Sequence, residues 1–390
     1  MFKSKFNHYD LSLVFPSFEA PLTDLIIDLD HLRKLQLNGT THPAVFFQLK
    51  HIFHTLESIG SARIEGNNTT VAEYIEAKLE HQENVPSSIK EIQNIEKAMT
   101  FIEEHALEVP INRMFISELH KIIVEDLPLP PHGEGDRSPG LYREKNVKIA
   151  RSSHEPPDHS TISQYMDKLF NFIEEKNSPK YDLLKVAIAH HRFVWIHPFS
   201  NGNGRTVRLF TYAMLVKLGF NVEIGGRILN PTAIFCSNRD QYYHYLGLAD
   251  QGTSNGILSW CEYVLGGLRD EIQKIDKLLN YGYLEKEILL PAISLSKERA
   301  YINDLEAQIL RLIIEKQVIQ AKDLSKIFPG KISAEISRQI AKLKDKKMLD
   351  ALDQGKRKYV ISFENSYLLR SVIKILGDKG FLPSNEKIGL

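Results

Sequence analysis

Cysteine is nearly missing. Cys236 and Cys261 are the two in 390 residues. They show no metal-ligand spacing and cannot build a disulfide framework, so a reducing, cytoplasmic setting is expected. Long apolar runs are missing too. None approaches the roughly 18 residues that a membrane span needs, so no membrane partner is expected. The opening Met1-Phe2-Lys3-Ser4-Lys5-Phe6 is not followed by an apolar core of signal-peptide length. Net charge is absent, with 49 basic side chains against 49 acidic ones. Bulk electrostatics therefore point to no nucleic acid, and only a local basic patch could. No repeat or low-complexity tract stands out. What remains is an ordinary globular composition, 43% hydrophobic and 25% charged, in a chain long enough for two or three domains.

One stretch carries most of the chemistry: His197-Pro198-Phe199-Ser200-Asn201-Gly202-Asn203-Gly204-Arg205-Thr206-Val207-Arg208. Two glycines flank an asparagine, so the backbone can take positive φ and approach a ligand closely. Helix-compatible residues follow at once. A glycine loop that opens a helix presents unpaired N–H groups and a positive dipole end, which suits phosphate. Arg205 and Arg208 are three apart and share a helix face, adding two guanidinium forks. His197 stands just before the loop as a candidate base. No Gly-Lys-Ser/Thr follows the glycines, so this is not a Walker-type loop.

The stretch resembles the signature of the Fic family, His-Pro-Phe-x-acid-Gly-Asn-Gly-Arg-x-x-Arg, and matches it at eight of nine specified positions. The departure is Asn201, where the family usually has Asp or Glu. The resemblance implies a protein adenylyltransferase that moves AMP from ATP, with Mg²⁺, to a Ser, Thr or Tyr hydroxyl of a target protein, or of the chain itself. In that reading His197 is the catalytic base. Gly202, Asn203, Gly204, Arg205 and Arg208 hold the phosphates. Asn201 keeps a carbonyl for the metal but loses the charge that a hard cation favours.

A second segment, Ser61-Ala62-Arg63-Ile64-Glu65-Gly66, resembles the family's inhibitory motif, Ser/Thr-x-x-x-Glu-Gly/Asn. The resemblance implies that Glu65 pairs with Arg208 and blocks productive nucleotide binding. Without the resemblance, the segment reads as a helix C-terminus capped by Gly66. Tyr242-Tyr243 and Asp250 look like the adenine-side region of Fic enzymes, which makes Tyr243 and Asp250 nucleotide contacts. Aromatic pairs on helices are otherwise core residues. His190 and His191 offer a metal reading with His197, set against hydrogen bonding within the core. No His-Glu-x-x-His spacing supports the metal.

The fold is expected to be mainly α. Apolar spacing predicts helices over 22–37, 43–59, 111–126, 161–176 and 181–195, the last apolar over most of its surface and hence central. Residues 1–20 read as an aromatic arm on that body. Thr70 and Glu73 form a possible capping box. Prolines and glycines between 127 and 160 predict loop. Within it, Gly140–Arg143 and Val147–Ile149 resemble the Fic β-hairpin flap, which would hold a target by strand addition, or else a plain surface hairpin. Residues 280–300 read as a linker. Helices over 305–314, 321–328 and 333–347, then a hairpin around Gly355, resemble a winged helix-turn-helix. Between 331 and 358 nine Lys/Arg face four Asp/Glu, compatible with phosphate contacts. The domains expected are an N-terminal helical region (1–110), a Fic core (111–280), and linker plus winged helix (281–390). The last could bind DNA or serve as a homodimer contact. The rival function is a DNA-binding regulator whose Fic domain is silent or senses nucleotide. A third is transfer of another phosphate-containing group.

Overall fold

Apolar residues at helical spacing make most of the chain helical. The computed structural model describes residues 6–34, 39–80, 85–149, 152–220, 232–330, 332–352 and 357–382. By its contacts the chain forms two compact units. One comprises 1–36, 57–69 and 84–273, the other 37–56, 70–83 and 274–390.

The first unit contains α1 (Pro21–Lys34), the end of α2 (Pro43–Ile64), α4 (Ser87–His105), α5 (Arg113–Val124), α6 (Ile162–Glu174), α7 (Asp182–Ile196), α8 (Asn203–Lys217), α9 (Thr232–Ser237), α10 (Arg239–Ala249) and α11 (Ser254–Asp276), with α3 (Val71–Glu80) belonging to the other unit. The helix expected over 43–59 runs on to Ile64 because Ile59, Ala62 and Ile64 stay buried. Nearly every residue of α7 is buried, and it packs against α6 and α8, as its apolar surface predicts. Asn112 caps α5 by accepting from the N–H groups of Met114 and Phe115. The N-terminal arm lies on α7, where the Arg192 guanidinium lies over the rings of both Tyr9 and Trp195. From 140 to 149 no strand forms, so the expected β-hairpin flap is corrected to a non-strand loop. The reason is Arg143, whose side chain and N–H fold inward onto carbonyl groups instead of extending along a strand.

In the second unit, residues 281–298 are helical where a linker was expected. A short helix (Tyr281–Tyr283) and a π-helical stretch (Leu284–Leu289) lead into α12 (Leu290–Glu298). Burial of Leu284, Ile288, Leu289, Ala292 and Ile293 explains why. There follow α13 (Asp304–Lys316), β1 (Ile319–Gln320), a 3₁₀ turn (Ala321–Lys326), α14 (Ser333–Asp345), β2 (Leu349–Ala351), β3 (Lys358–Ile361) and α15 (Ser366–Asp378). The strands form an antiparallel sheet in the order β1-β3-β2, with Ile319 opposite Tyr359 and Leu349 opposite Ile361. The expected hairpin is thus β2–β3, while its Gly355 lies outside the described residues. Asn303 and Glu306 form a capping box at α13, and Thr70 and Glu73 do the same at α3.

Candidate active site

The site grows from the junction of α7 and α8. Pro198 disfavours helical geometry at the residue before it. His197 accordingly leaves α7 in the left-handed region (φ 51°, ψ 62°), with its N–H still bonded to the Phe193 carbonyl. Gly202 is the second left-handed residue (φ 73°), just before α8 begins. A side chain there would press on Val124 and His120. Between them Phe199 is buried and lies flat on the His120 ring, with centroids 3.8 Å apart.

Both ends of the Asn203 amide are taken by the loop backbone. Its Oδ1 accepts from Phe199 N–H at 2.9 Å and its Nδ2 donates to the Phe199 carbonyl at 2.8 Å. Asn203 therefore shapes the loop. Arg143 completes the brace. Its Nε donates to the His197 carbonyl at 2.9 Å and its N–H to the Pro198 carbonyl at 2.8 Å.

The two arginines of the helix face are almost fully buried. Arg208 donates from Nε to Ser61 Oγ at 2.9 Å, and from Nη2 to the Ser61 carbonyl at 3.0 Å and Glu65 Oε1 at 2.8 Å. Burial pushes the Glu65 carboxyl up, but Arg208, then Arg205, outweigh it and hold its pKa below the usual range. A Cβ on Gly204 would stand 2.1 Å from Glu65 Oε1. The carboxylate thus rests on the first turn of α8, where only glycine leaves room. Gly66 (φ 111°) ends the helix behind it, its N–H bonded to the Arg63 carbonyl. The capping reading and the pairing reading hold together.

Arg205 is held by residues that sequence reasoning did not single out. Its Nη2 donates to the Glu134 carbonyl at 2.9 Å and to Glu134 Oε2 at 3.2 Å, while Nη1 pairs with Glu91 at 3.0 Å. Burial raises the pKa of Glu91, and Arg205 offsets only part of that. Asn201 is equally engaged. Its N–H donates to Asp136 Oδ2 at 2.9 Å, and its Nδ2 donates to Glu134 Oε2 and to the Gly135 carbonyl, each at 3.2 Å. His120 accepts at Nδ1 from Gly140 N–H, so its proton is on Nε2 and is donated to the Asn201 carbonyl at 3.1 Å. Burial lowers the His120 pKa to about 4. The one signal for Glu134 and Asp136 was their alternation with Gly133 and Gly135 in the proline-rich loop. A Cβ on either glycine would collide with Pro128 or Leu127.

His197 is the free base at neutral pH. Burial, then the Arg143 guanidinium, lowers its pKa to about 4, with the Val194 carbonyl and Glu65 pulling the other way. The ring nitrogens of His190 and His191 meet hydrogen-bond partners of the protein. His190 Nε2 meets the Tyr242 hydroxyl at 3.0 Å and Nδ1 the Thr211 hydroxyl at 2.7 Å. Thr211 gives its own proton to the Val207 carbonyl, so His190 donates from Nδ1 and accepts at Nε2. His191 bonds Asp250 at 2.9 Å and the Tyr9 hydroxyl at 3.3 Å. Asp250 thereby closes α10 against α7. Tyr243 is 41% exposed, with the Arg239 guanidinium over its ring. Among the described residues no group of three or more His, Cys, Asp or Glu could hold a metal by itself, and no helix is long and apolar enough to cross a membrane.

Residues 110–215 match the Fic/DOC family. The chain is 29% identical over 212 residues to the protein adenylyltransferases Fic of Drosophila grimshawi and Drosophila melanogaster, a stretch covering 53% of this chain and 38% of each relative. The chain thus spans well under half the length of these curated relatives. Among solved structures, a Fic family protein from Desulfovibrio desulfuricans G20 covers 91% of this chain and 98% of its own, with a TM-score of 0.54 and 18% identity. Fic-1 (residues 134–508) from C. elegans covers 65% and 71%, with a TM-score of 0.51 and 19% identity. These two share the fold.

Proposed function

We propose that this chain, which carries a Fic/DOC domain over residues 110–215, is a protein adenylyltransferase held inactive by Glu65. The observation that carries the reading is the Glu65–Arg208 pair lying on Gly204. A carboxylate on the first turn of α8 fills the place where that turn would receive a phosphate. It also occupies the guanidinium that would grip the γ-phosphate.

With Glu65 withdrawn, the first-turn N–H groups of α8 and the two arginines form an anion cradle. The β- and γ-phosphates of ATP fit against Arg205 and Arg208. A Ser, Thr or Tyr hydroxyl of a target protein, or of this chain, gives its proton to His197 and attacks the α-phosphorus. The bond from that phosphorus to the bridging oxygen breaks, and pyrophosphate leaves with the electron pair. AMP stays on the target as a phosphodiester. Because the His197 pKa is near 4, the base is neutral throughout the ordinary pH range. Its weakness as a base is the cost of that burial, so positioning and charge neutralisation contribute most of the acceleration.

A divalent cation would add charge neutralisation at the phosphates. The oxygen donors beside the loop, Asn201 and Glu134, have the hard chemistry such an ion favours, and Mg²⁺ commonly relies on one or two protein ligands plus the nucleotide. Tyr243 and Asp250 are proposed to face the base, and Ser61 to steady Arg208 in the inhibited state.

The test is transfer of labelled AMP from α-labelled ATP. Label should appear with Glu65→Gly and vanish with Glu65→Gly/His197→Ala. No label in Glu65→Gly with any protein target or the chain itself would sink the reading.

The C-terminal unit supports a second, separate activity. The succession α13, 3₁₀ turn, α14 and β2–β3 fits a winged helix-turn-helix, and Arg338, Lys342 and Lys344 are exposed on α14. Duplex DNA affinity that falls steeply with salt would support it. Affinity unchanged by Arg338→Glu/Lys342→Glu would oppose it.

A further inference from the structure

We propose that Glu134 supplies the cation-directed carboxylate that this chain lacks at position 201. The inference rests on the adenylyltransferase reading and deepens it.

Four carboxylates surround the loop, and three are committed. Glu65 is tied to Arg208 at 2.8 Å and must leave before nucleotide enters. Glu91 is buried and divided between Arg205 and Asn67. Asp136 holds the backbone, accepting from Asn201 N–H at 2.9 Å and Ser138 N–H at 2.8 Å, with its side chain 1% exposed. Glu134 differs. Its side chain is 40% exposed, and one oxygen, Oε2, takes both of its hydrogen bonds, from Asn201 Nδ2 and Arg205 Nη2. The other oxygen makes none among the described residues.

The contact with Asn201 also orients the amide. Both hydrogen bonds of Nδ2 run to Glu134 and Gly135, which turns Oδ1 away from them and leaves Glu134 as the carboxylate beside the loop. A carboxylate 3.2 Å from that amide restores the negative charge that an acid at 201 would have carried. A separate feature points to an anion arriving here. Arg205 is 1% exposed, and its Nε is buried with no hydrogen-bond partner. A phosphate bound to Arg205 competes for the guanidinium with Glu134 and frees that carboxylate to face the cation. The Glu134 main chain stays fixed meanwhile, because its carbonyl is bonded to Arg205 at 2.9 Å and Gly135 N–H to the Pro128 carbonyl at 2.8 Å.

The experiment uses full-length Glu65→Gly protein, an ATP analogue that cannot be cleaved between the α- and β-phosphates, and Mn²⁺ as the metal probe. Analogue binding without metal is measured first, by calorimetry. Free Mn²⁺ is then titrated by electron paramagnetic resonance. Adding Glu134→Gln should weaken Mn²⁺ binding roughly tenfold, the effect of losing one charged oxygen ligand, while metal-free analogue binding is kept. Adding Asn201→Asp to Glu134→Gln should restore the affinity, which a purely structural role for Glu134 would not produce. Unchanged Mn²⁺ affinity in Glu134→Gln overturns the assignment, as does failure of Asn201→Asp to rescue it. No metal-free analogue binding to Glu65→Gly would overturn the adenylyltransferase reading and this inference with it.

Discussion

The two units bury polar groups in different ways. In the C-terminal unit the buried Glu306 closes a capping box, and Ser296 meets Ser371 at 2.7 Å. Those groups finish helices and join them. In the other unit the buried set includes Glu91, His120, Arg143, His190, His191, Arg192, Arg205 and Arg208. Burying charge opposes folding unless each group finds a partner. The partners are present, and two of them, Glu65 and Glu134, are carboxylates paired with Arg208 and Arg205 near the start of α8. One unit uses polarity to complete its structure. The other uses it to neutralise buried cationic groups around one loop.

Several experiments break or sharpen that contrast. The largest effect belongs to His197→Ala in the Glu65→Gly background. AMP transfer should fall by about 10²–10⁴, as for loss of a general base, with the circular dichroism spectrum unchanged. Next is Leu310→Ala in the C-terminal unit, where Leu310 is fully buried. Urea denaturation should register a loss of about 2–5 kcal/mol, the usual result of emptying an apolar core site. Glu65→Gly should raise AMP transfer on the order of tenfold, a typical coupling free energy, and should lower Tm, since Arg208 loses a buried partner.

Acid should act through the site-bearing unit. His120 and His197 have folded pKa values of about 4, and burial also lowers those of His190 and His191. Between about pH 6.5, the unfolded value, and the folded values, the unfolded chain binds more protons. This stability is therefore complete above about pH 6.5 and is lost as pH falls toward 4, by up to about 1.4 kcal/mol per pH unit for each histidine. Denaturation midpoints from pH 7 to pH 4.5 check it. The smallest effect is expected from Asn303→Ala, which removes the α13 cap at about 1 kcal/mol.

Much of this was legible in the sequence, for reasons that differ by residue. The run from His197 to Arg208 is contiguous, so a loop, a helix start and two arginines could be read together. Glu65 was legible because its motif partners, Ser61 and Gly66, stand beside it in the sequence. Glu91, His120 and Glu134 were not. They reach Arg205 and Asn201 from 67 to 114 positions away along the chain, and nothing local to a Glu or His states which distant group it meets. The flap was misread because Gly140–Arg143 and Val147–Ile149 resemble a hairpin in sequence, while Arg143 is spent on the carbonyl groups of His197 and Pro198. The linker was misread because burial of Leu284, Ile288 and Leu289 against the rest of their unit is not stated by residues 280–300 themselves. Pro291 follows directly on the π-helical stretch Leu284–Leu289, near the start of α12.

The grip of α2 on Arg208 has a further consequence, concerning phase. Ser61 in the last turn of α2 and Glu65, the residue after its end, touch the same guanidinium from one stripe. Each residue added to a helix rotates everything beyond it by about 100°. A single alanine inserted between Ser61 and Glu65 would swing the carboxylate off the stripe while leaving every residue type in place. Four inserted residues would nearly restore its direction but carry it about 6 Å along the axis. The contact with Arg208 is therefore encoded as an angle as much as a residue, set in part by the number of residues between Ser61 and Glu65.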